Sequence, residues 1–240
     1  MRKLLHGLDL FSGIGGISFA LSEWIKPIAY CENDRYAQAV LLSRMGAGDL
    51  CRAPIWDDVK TLKGRYLPHV DIIYGGFPCQ DLSIAGLGKG LAGERSGLFY
   101  EILRLAKEIK PTFIFLENVP GITNRGLRQV AESLSSIGYD LRWDVISAAE
   151  IGAEFQGKRW FALAKARSTR LQRIHKESGQ IDLQSFARNS RIPNNFREAH
   201  PDVLRKGHGV PFALDRIKCL GNSVVPAQVE EAFCRLIGLK

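Results

Sequence analysis

A cysteine and a glutamate stand at the ends of two apolar runs. Cys79 follows a Gly-Phe-Pro turn after the first run, and Glu117 closes the second. A cysteine presented at such an edge can act as a nucleophile when a cation or helix end lowers its pKa. A glutamate that ends a hydrophobic strand loses hydration, so its pKa should rise and it could donate a proton. The pair indicates covalent catalysis with acid assistance. A loop cysteine without a role is the alternative.

A second group of residues is typical of a nucleotide-like ligand site. The segment Leu8–Gly16 is rich in glycine and joins the first apolar run to an amphipathic stretch, where backbone N–H groups are free for a ligand. Glu32 ends the next apolar run, the usual place of an acid that binds ribose hydroxyls. Asp57 lies in a further acidic turn. Ser18 replaces the third glycine of the dinucleotide fingerprint, so a pyrophosphate is disfavoured and an adenosine-bearing ligand is expected.

Predicted strands and helices that would position these residues alternate along residues 1–164, and this alternation favours an α/β layered fold. The predicted strands are Leu4–Phe11, Pro27–Glu32, Val70–Gly75, Thr112–Val119, Tyr139–Ala148 and Trp160–Ala164. The predicted helices are Ser18–Trp24, Asp34–Met45, Gly97–Ile109 and Arg125–Ile137. Because ligands bind at the carboxyl ends of strands in open α/β sheets, the candidate residues should meet at one edge.

Positive charge is concentrated in residues 165–206, a small polar region between the catalytic domain (1–164) and a return segment (207–240). These forty-two residues carry a net charge of +6, out of +8 for the chain. Clustered cations gain affinity for nucleic acid by displacing counterions, so we predict a phosphate-binding surface for nucleic acid. A solvated, partly disordered arm is the alternative. The predicted phosphate contacts are Arg167, Arg170, Arg173, Arg188 and Arg191.

Composition excludes several other classes of protein. The five cysteines include no Cys-x-x-Cys pair, so neither a disulfide framework nor a zinc ribbon is expected, and we predict no metal site. No run approaches the roughly 18 apolar residues that a membrane span needs, and no secretory signal is recognisable. We therefore expect a cytoplasmic protein.

The order of these motifs resembles the DNA (cytosine-5)-methyltransferases, in particular the short phage and prophage forms. The resemblance covers residues 1–164 and 205–240. Its blocks are Asp9-Leu-Phe-Ser-Gly-Ile-Gly-Gly16, Glu32, Asp57, Gly76-Phe-Pro-Cys-Gln80, Arg95-Ser-Gly-Leu98, Glu117-Asn-Val119 and Gly221-Asn-Ser-Val224. It implies a Rossmann-like fold with a mixed, mostly parallel sheet and S-adenosylmethionine as cofactor.

The resemblance also implies a cofactor pocket. Glu32 would hold the ribose, Asp57 the adenine amino group, and two residues near the chain's end would close the pocket. The full predicted set is Phe11, Gly13, Gly15, Glu32, Asp57, Pro78, Leu98, Asn222 and Ser223.

By the same resemblance, the Cys79 thiolate would add to C6 of cytosine while Glu117 acts on N3 and Arg159 binds the carbonyl. The target base must leave the duplex stack, and a glycine-rich lid over residues 80–94 would close on it. Gln80, Ser83 and Arg95 would contact the DNA. The implied partner is double-stranded DNA, the protein is expected to be a monomer, and a restriction enzyme partner is compatible with this class.

Two departures from the family pattern keep alternatives open. Gly157 stands where an arginine is usual, and Lys158 does not reproduce the fork geometry of a guanidinium. The recognition region is also small, which predicts a short or weakly specific target. The alternatives are a DNA-binding protein with weak or no turnover, and a tRNA cytosine-5 methyltransferase.

Overall fold

A single sheet organises the residues that the computed structural model describes, which are 4–78, 97–167 and 224–238. Its strands are β1 (Leu5–Leu10), β2 (Ile25–Cys31), β3 (Ile55–Trp56), β4 (Ile72–Gly76), β5 (Phe113–Asn118), β6 (Tyr139–Ile146) and β7 (Arg159–Ala166). The order across the sheet is β3-β2-β1-β4-β5-β7-β6. Neighbouring strands are parallel from β3 to β5, whereas β7 runs antiparallel to both β5 and β6. The predicted mixed, mostly parallel α/β sheet is confirmed.

Helices cover both faces of this sheet. They are α1 (Gly16–Ala20), α2 (Arg35–Ala47), α3 (Gly97–Ile109), α4 (Ile122–Arg125), α5 (Leu127–Ser136) and α6 (Pro226–Leu236). One apolar cluster joins the sheet to α3 and α5, and a second joins the other face to α1 and α6. The three-layer arrangement leaves the strand ends free to carry functional loops.

Helix α3 has the bounds that its apolar periodicity predicted, with Phe99, Ile102 and Leu105 buried. Helix α1 is shorter than predicted: it ends at Ala20, and residues 21–24 turn directly into β2. The turn buries Trp24 against Phe233 of α6. The periodic apolar residues there thus serve tertiary packing instead of another helical turn.

Other boundaries also differ from the predictions. The predicted helix 125–137 is divided at Gly126, whose non-helical backbone (φ −151°, ψ −12°) separates α4 from α5. Strand β3 was not predicted, because two residues are too short to show a period. Strand β7 continues to Ala166, two residues beyond the predicted domain boundary. Among the described helices, none has the length and apolar character needed to cross a bilayer.

Candidate active site

The loop between β1 and α1 has an unusual backbone. Phe11, Gly13 and Gly15 have φ of 55°, 53° and 80°, and a left-handed conformation is rare for a bulky residue such as phenylalanine. Among the described residues, no heavy atom lies within 4 Å of a Cβ placed on Gly13, so the described fold does not pack against the loop on that side. Such strain clusters at ligand sites. The predicted cofactor loop thus presents its backbone at the carboxyl edge of the sheet.

Glu32 follows β2 and is tied to this loop. Its carboxylate accepts the Gly13 N–H at 2.7 Å through Oε2 and the Asp34 N–H at 2.8 Å through Oε1. Only 9% of the residue is exposed. Since each carboxylate oxygen has two lone pairs, both can accept a further hydroxyl. The orientation suits an acid that would bind a diol beside the loop.

A buried polar network under the loop was missed by the sequence reasoning. The Ser18 hydroxyl donates to Asp9 Oδ2 at 2.5 Å and lies 2.7 Å from the Tyr74 hydroxyl. Burial raises the pKa of Asp9 to about 7, opposed by hydrogen bonds from Ser18 and Ser12. The network joins β1, α1 and β4 directly beneath the ligand side. Its sequence signal is a carboxylate within an otherwise apolar strand.

Three of the remaining predicted cofactor residues lie in the described part of the chain, and two lie outside it. Asp57 is exposed immediately after β3, and Pro78 is exposed after β4. Leu98 is half-buried in α3 and packs on the same apolar cluster as Phe11 and Trp56. Asn222 and Ser223 lie outside the described residues. The structure therefore brings an apolar flank and acidic residues to the edge where the loop opens.

Glu117 and Arg159 meet at the same edge. Arg159 begins β7 and its Nε lies 3.2 Å from Glu117 Oε1 near the end of β5. Burial raises the pKa of Glu117 to about 7, and the attraction of Arg159 opposes that rise. The predicted rise is confirmed. A carboxyl group that is half protonated near neutral pH is suited to give a proton to a substrate nitrogen.

Two neighbours of Glu117 shape this part of the site. Gly76 pairs with Glu117 in the sheet, and a Cβ on Gly76 would lie 2.5 Å from Glu117 Oε2. Asn118 donates its side-chain amide to the Phe77 carbonyl at 2.8 Å, and its Oδ1 accepts the Val119 N–H at 2.8 Å. Asn118 thus fixes the backbone two residues before Cys79. The sequence did not predict the close approach of Gly76 to Glu117 or the bond from Asn118 to Phe77, although Gly76 and Asn118 both lie in its recognisable motifs.

Replacing Gly76 with alanine should displace the Glu117 carboxylate. The added methyl would overlap Oε2, so the carboxylate must rotate and its pairing with Arg159 must weaken. A misplacement of about 1 Å can cost roughly 100-fold in rate. We expect a fall of that order in methyl transfer at unchanged affinity for S-adenosylmethionine, measured by single-turnover transfer and calorimetry. Gly121→Ala is the matched control, because no heavy atom crowds that position. Normal turnover in Gly76→Ala would contradict this role.

The Gly157 departure has a local structural reason. Its φ is +28°, and a Cβ there would lie 2.5 Å from the Phe155 ring and 3.3 Å from the Ala148 Cβ. The connection between β6 and β7 is therefore built for glycine at this position. An arginine here would strain the backbone and require Phe155 to move.

The predicted DNA contacts are mostly outside the described residues, as are Cys79, Gln80, Ser83 and Arg95 of the predicted active site and lid. Arg170, Arg173, Arg188 and Arg191 also lie outside. Arg167 is described and follows the far end of β7, at the edge opposite Arg159. Its guanidinium is 3.0 Å from Asp140 Oδ1 and donates to the Ser135 carbonyl at 2.6 Å. These bonds hold Arg167 to α5 and β6.

The sheet order, the loop after β1 and the acid after β2 define a Rossmann-like fold of the S-adenosylmethionine-dependent methyltransferase class. The family model of the C-5 cytosine-specific DNA methylases matches residues 5–209, and the chain belongs to this family.

Named methyltransferases and a solved structure are similar to this chain and support that assignment. The chain is 32% identical over 231 residues to the type II methyltransferase M.CviJI of Paramecium bursaria Chlorella virus IL3A, covering 95% of the chain and 58% of that protein. It is 28% identical over 207 residues to M.HhaI of Haemophilus parahaemolyticus, covering 84% of the chain and 61% of that protein. A prophage-encoded E. coli protein assigned as a DNA modification methyltransferase has a similar structure, with a TM-score of 0.53 and 26% identity over 68% of this chain and 47% of the other. The chain thus spans about three fifths of either sequence relative.

Proposed function

We propose that this protein transfers a methyl group from S-adenosylmethionine to C5 of cytosine in double-stranded DNA. The observation that carries the proposal is the ion pair of buried Glu117 with half-buried Arg159, at the sheet edge where β4 leads towards Cys79. A protonatable carboxyl beside a guanidinium matches the N3 and carbonyl edge of cytosine, since one group can donate to N3 and the other to O2. Membership of the cytosine-5 family supports the same reaction.

The described residues fit the cofactor. In the described part of the chain no atom packs against the left-handed loop beside Gly13, and the Glu32 carboxylate has lone pairs left for a ribose diol. Partly buried Phe11 and Leu98 supply an apolar flank for the adenosine. When bound, S-adenosylmethionine supplies an electrophilic methyl group. Asp57, Pro78, Asn222 and Ser223 complete the proposed binding set.

The base side of the site would work through three residues. The Cys79 thiolate adds to C6, and Glu117 gives its proton to N3, so that the electron pair released into the ring makes C5 nucleophilic. Arg159 binds the carbonyl oxygen and holds Glu117 in place. After methylation, C5 loses its proton to solvent, the C5–C6 double bond re-forms and the Cys79 thiolate is expelled. N3 then returns its proton to the Glu117 carboxylate, which restores the enzyme. Because C6 is inaccessible in a stacked duplex, the base must be flipped out, with Gln80, Ser83 and Arg95 contacting the DNA.

Bisulfite sequencing of DNA from cells that express the protein tests the activity and the target together. We expect methylated cytosines at a recurring short sequence, absent from cells that express the Cys79→Ser variant. Methyl transfer to tRNA and to duplex DNA should be compared in the same preparation. Methyl transfer to tRNA but not to duplex DNA would show that the substrate is RNA.

A second candidate function is DNA binding without turnover, which the glycine at position 157 favours. Incubation with a duplex that contains 5-fluorocytosine separates the two, because loss of a proton from C5 is blocked and a turning-over enzyme stays covalently attached. We expect a complex that survives denaturation when S-adenosylmethionine is present. Binding that is lost on denaturation would favour the second function.

The basic segment 165–206 is proposed to supply the attraction for DNA. Each cation that contacts a phosphate should steepen the slope of log affinity against log salt by roughly 0.9. Because Arg167 is held by Asp140 and Ser135, the informative triple variant replaces Arg170, Arg173 and Arg188 with alanine. We expect the slope to flatten by about 3 units at most, on the same scale.

The control for this variant is the affinity for S-adenosylmethionine, which should not change. Salt titrations of duplex binding, followed by fluorescence anisotropy, give the slope. An unchanged slope would show that the charge of this segment is incidental. Recognition would then fall to residues 205–216.

A further inference from the structure

A buried glutamine in α6 holds the connection between β6 and β7. The Gln228 side chain, in a residue only 1% exposed, donates to the Ile146 carbonyl at 2.6 Å and to the Gly157 carbonyl at 2.8 Å. Both N–H groups of one amide are thereby used. Ile146 ends β6, and Gly157 lies two residues before β7 begins. One side chain thus fixes both ends of the connection.

Hydrogen bonds within the connection also join its two ends. The Ser147 hydroxyl donates to the Gln156 carbonyl at 2.6 Å, and the Ala148 N–H donates to the same oxygen at 3.1 Å. These bonds join one side of the connection to the other, but they do not attach it to the rest of the fold. Gln228 makes that attachment from a separate helix.

The outer contacts of α6 are weaker anchors. Arg235 lies 3.3 Å from Asp144 and 3.8 Å from Glu150, and all three side chains are more than one third exposed. Exposed ion pairs contribute little because water and salt screen them. Hydrogen bonds that satisfy buried carbonyls are costly to lose. Gln228 is therefore the stronger link between α6 and the connection.

The position of Arg159 depends on this link. Arg159 is the first residue of β7, paired in register with Ile146, and its Nε reaches Glu117 across the sheet edge. Since Gln228 holds both Ile146 and Gly157, it fixes the strand partner of Arg159 and the backbone two residues before it. We propose that Gln228 is a positioning residue that keeps Arg159 beside Glu117. This inference rests on the proposed function for the role of Glu117, but its test reads the carboxyl group itself.

The test is the titration of Glu117 in Gln228→Met, which keeps the side-chain volume and removes both donors. Carboxyl carbon signals of protein labelled at glutamate are followed by NMR over pH, and Glu117→Gln identifies the signal. Arg159 is the charged group that lowers the pKa of Glu117. Loosening Arg159 should therefore move the midpoint to higher pH, by about 0.5–1 unit for partial loss of a close ion pair.

Gln129→Met is the matched control. Gln129 also donates its amide, at 2.8 Å to the Tyr100 hydroxyl, but it lies on α5, away from the connection. We expect an unchanged Glu117 midpoint in this control. An unchanged midpoint in Gln228→Met would overturn the proposal and leave Gln228 with a purely structural role.

If Gln228→Met does not fold, Gln228→Asn provides the same reading. The shorter amide reaches at most one of the two carbonyls, so a smaller shift in the same direction is expected, and none would overturn the proposal. A shifted midpoint in a protein that methylates nothing would contradict the proposed function and leave the positioning role intact.

Discussion

The Cys79→Ser variant should have no detectable methyl transfer while it retains nearly full affinity for S-adenosylmethionine. A serine hydroxyl at neutral pH is a far poorer nucleophile than a thiolate, so addition to C6 would fail. The proposed cofactor contacts come from other residues, since the cofactor loop follows β1 and Glu32 follows β2. Transfer of a labelled methyl group to duplex DNA, with calorimetry for the cofactor, measures both quantities.

A matched control is available in Cys51→Ser. Cys51 is an exposed free thiol, and its backbone carbonyl, which the substitution leaves in place, accepts the Tyr30 hydroxyl at 3.1 Å. This variant should methylate DNA at the wild-type rate. Normal turnover in Cys79→Ser would exclude a covalent mechanism through this residue. Equal loss in both variants would point to a general effect of removing thiols.

Much of the fold follows from local patterns in the sequence. The bounds of α3 follow from its apolar spacing, and the strands that end at Glu32 and Glu117 follow from apolar runs closed by an acid. Parallel strand ends converge at one edge, so the proximity of the loop, Glu32 and Glu117 was also foreseeable. These features depend on short-range periodicity and on one general rule of α/β topology.

The contacts that were not foreseen depend on distant parts of the chain. Gln228 reaches Ile146, which lies 82 positions earlier, and Asn118 reaches Phe77, which lies 41 positions earlier. A sequence pattern contains no information on which carbonyl an amide will meet. The same holds for Arg167, whose bonds to Asp140 and Ser135 could not be read from its charge or its place in the sequence.

The Glu117→Gln variant should lower the rate of methyl transfer by roughly two to four orders of magnitude, the usual effect of removing a positioned acid. The glutamine amide can still donate a hydrogen bond to N3, but it cannot give up a proton to balance the charge that enters the ring. Binding of S-adenosylmethionine should not change, because the loop and Glu32 are tied to each other and not to Glu117. A loss of cofactor affinity alone would place Glu117 in the other pocket.

The pH dependence of kcat/KM, compared between the wild type and Glu117→Gln, separates acid catalysis from a structural role of Glu117. Glu117 has a pKa of about 7 in the folded protein, so the protonated fraction, and with it kcat/KM, should fall by about tenfold per unit well above pH 7. That alkaline fall should vanish in Glu117→Gln.

The stability of the fold should also depend on the ionisation of Glu117. Because its folded pKa is raised from 4.5, the contribution of the neutral side chain to stability is full below about pH 4.5 and is lost as pH rises through about 7. Glu117→Gln should therefore melt at or above the wild-type temperature at pH 8. A variant that is slow because it is unfolded would melt lower, and one that keeps the alkaline fall would show that another group titrates.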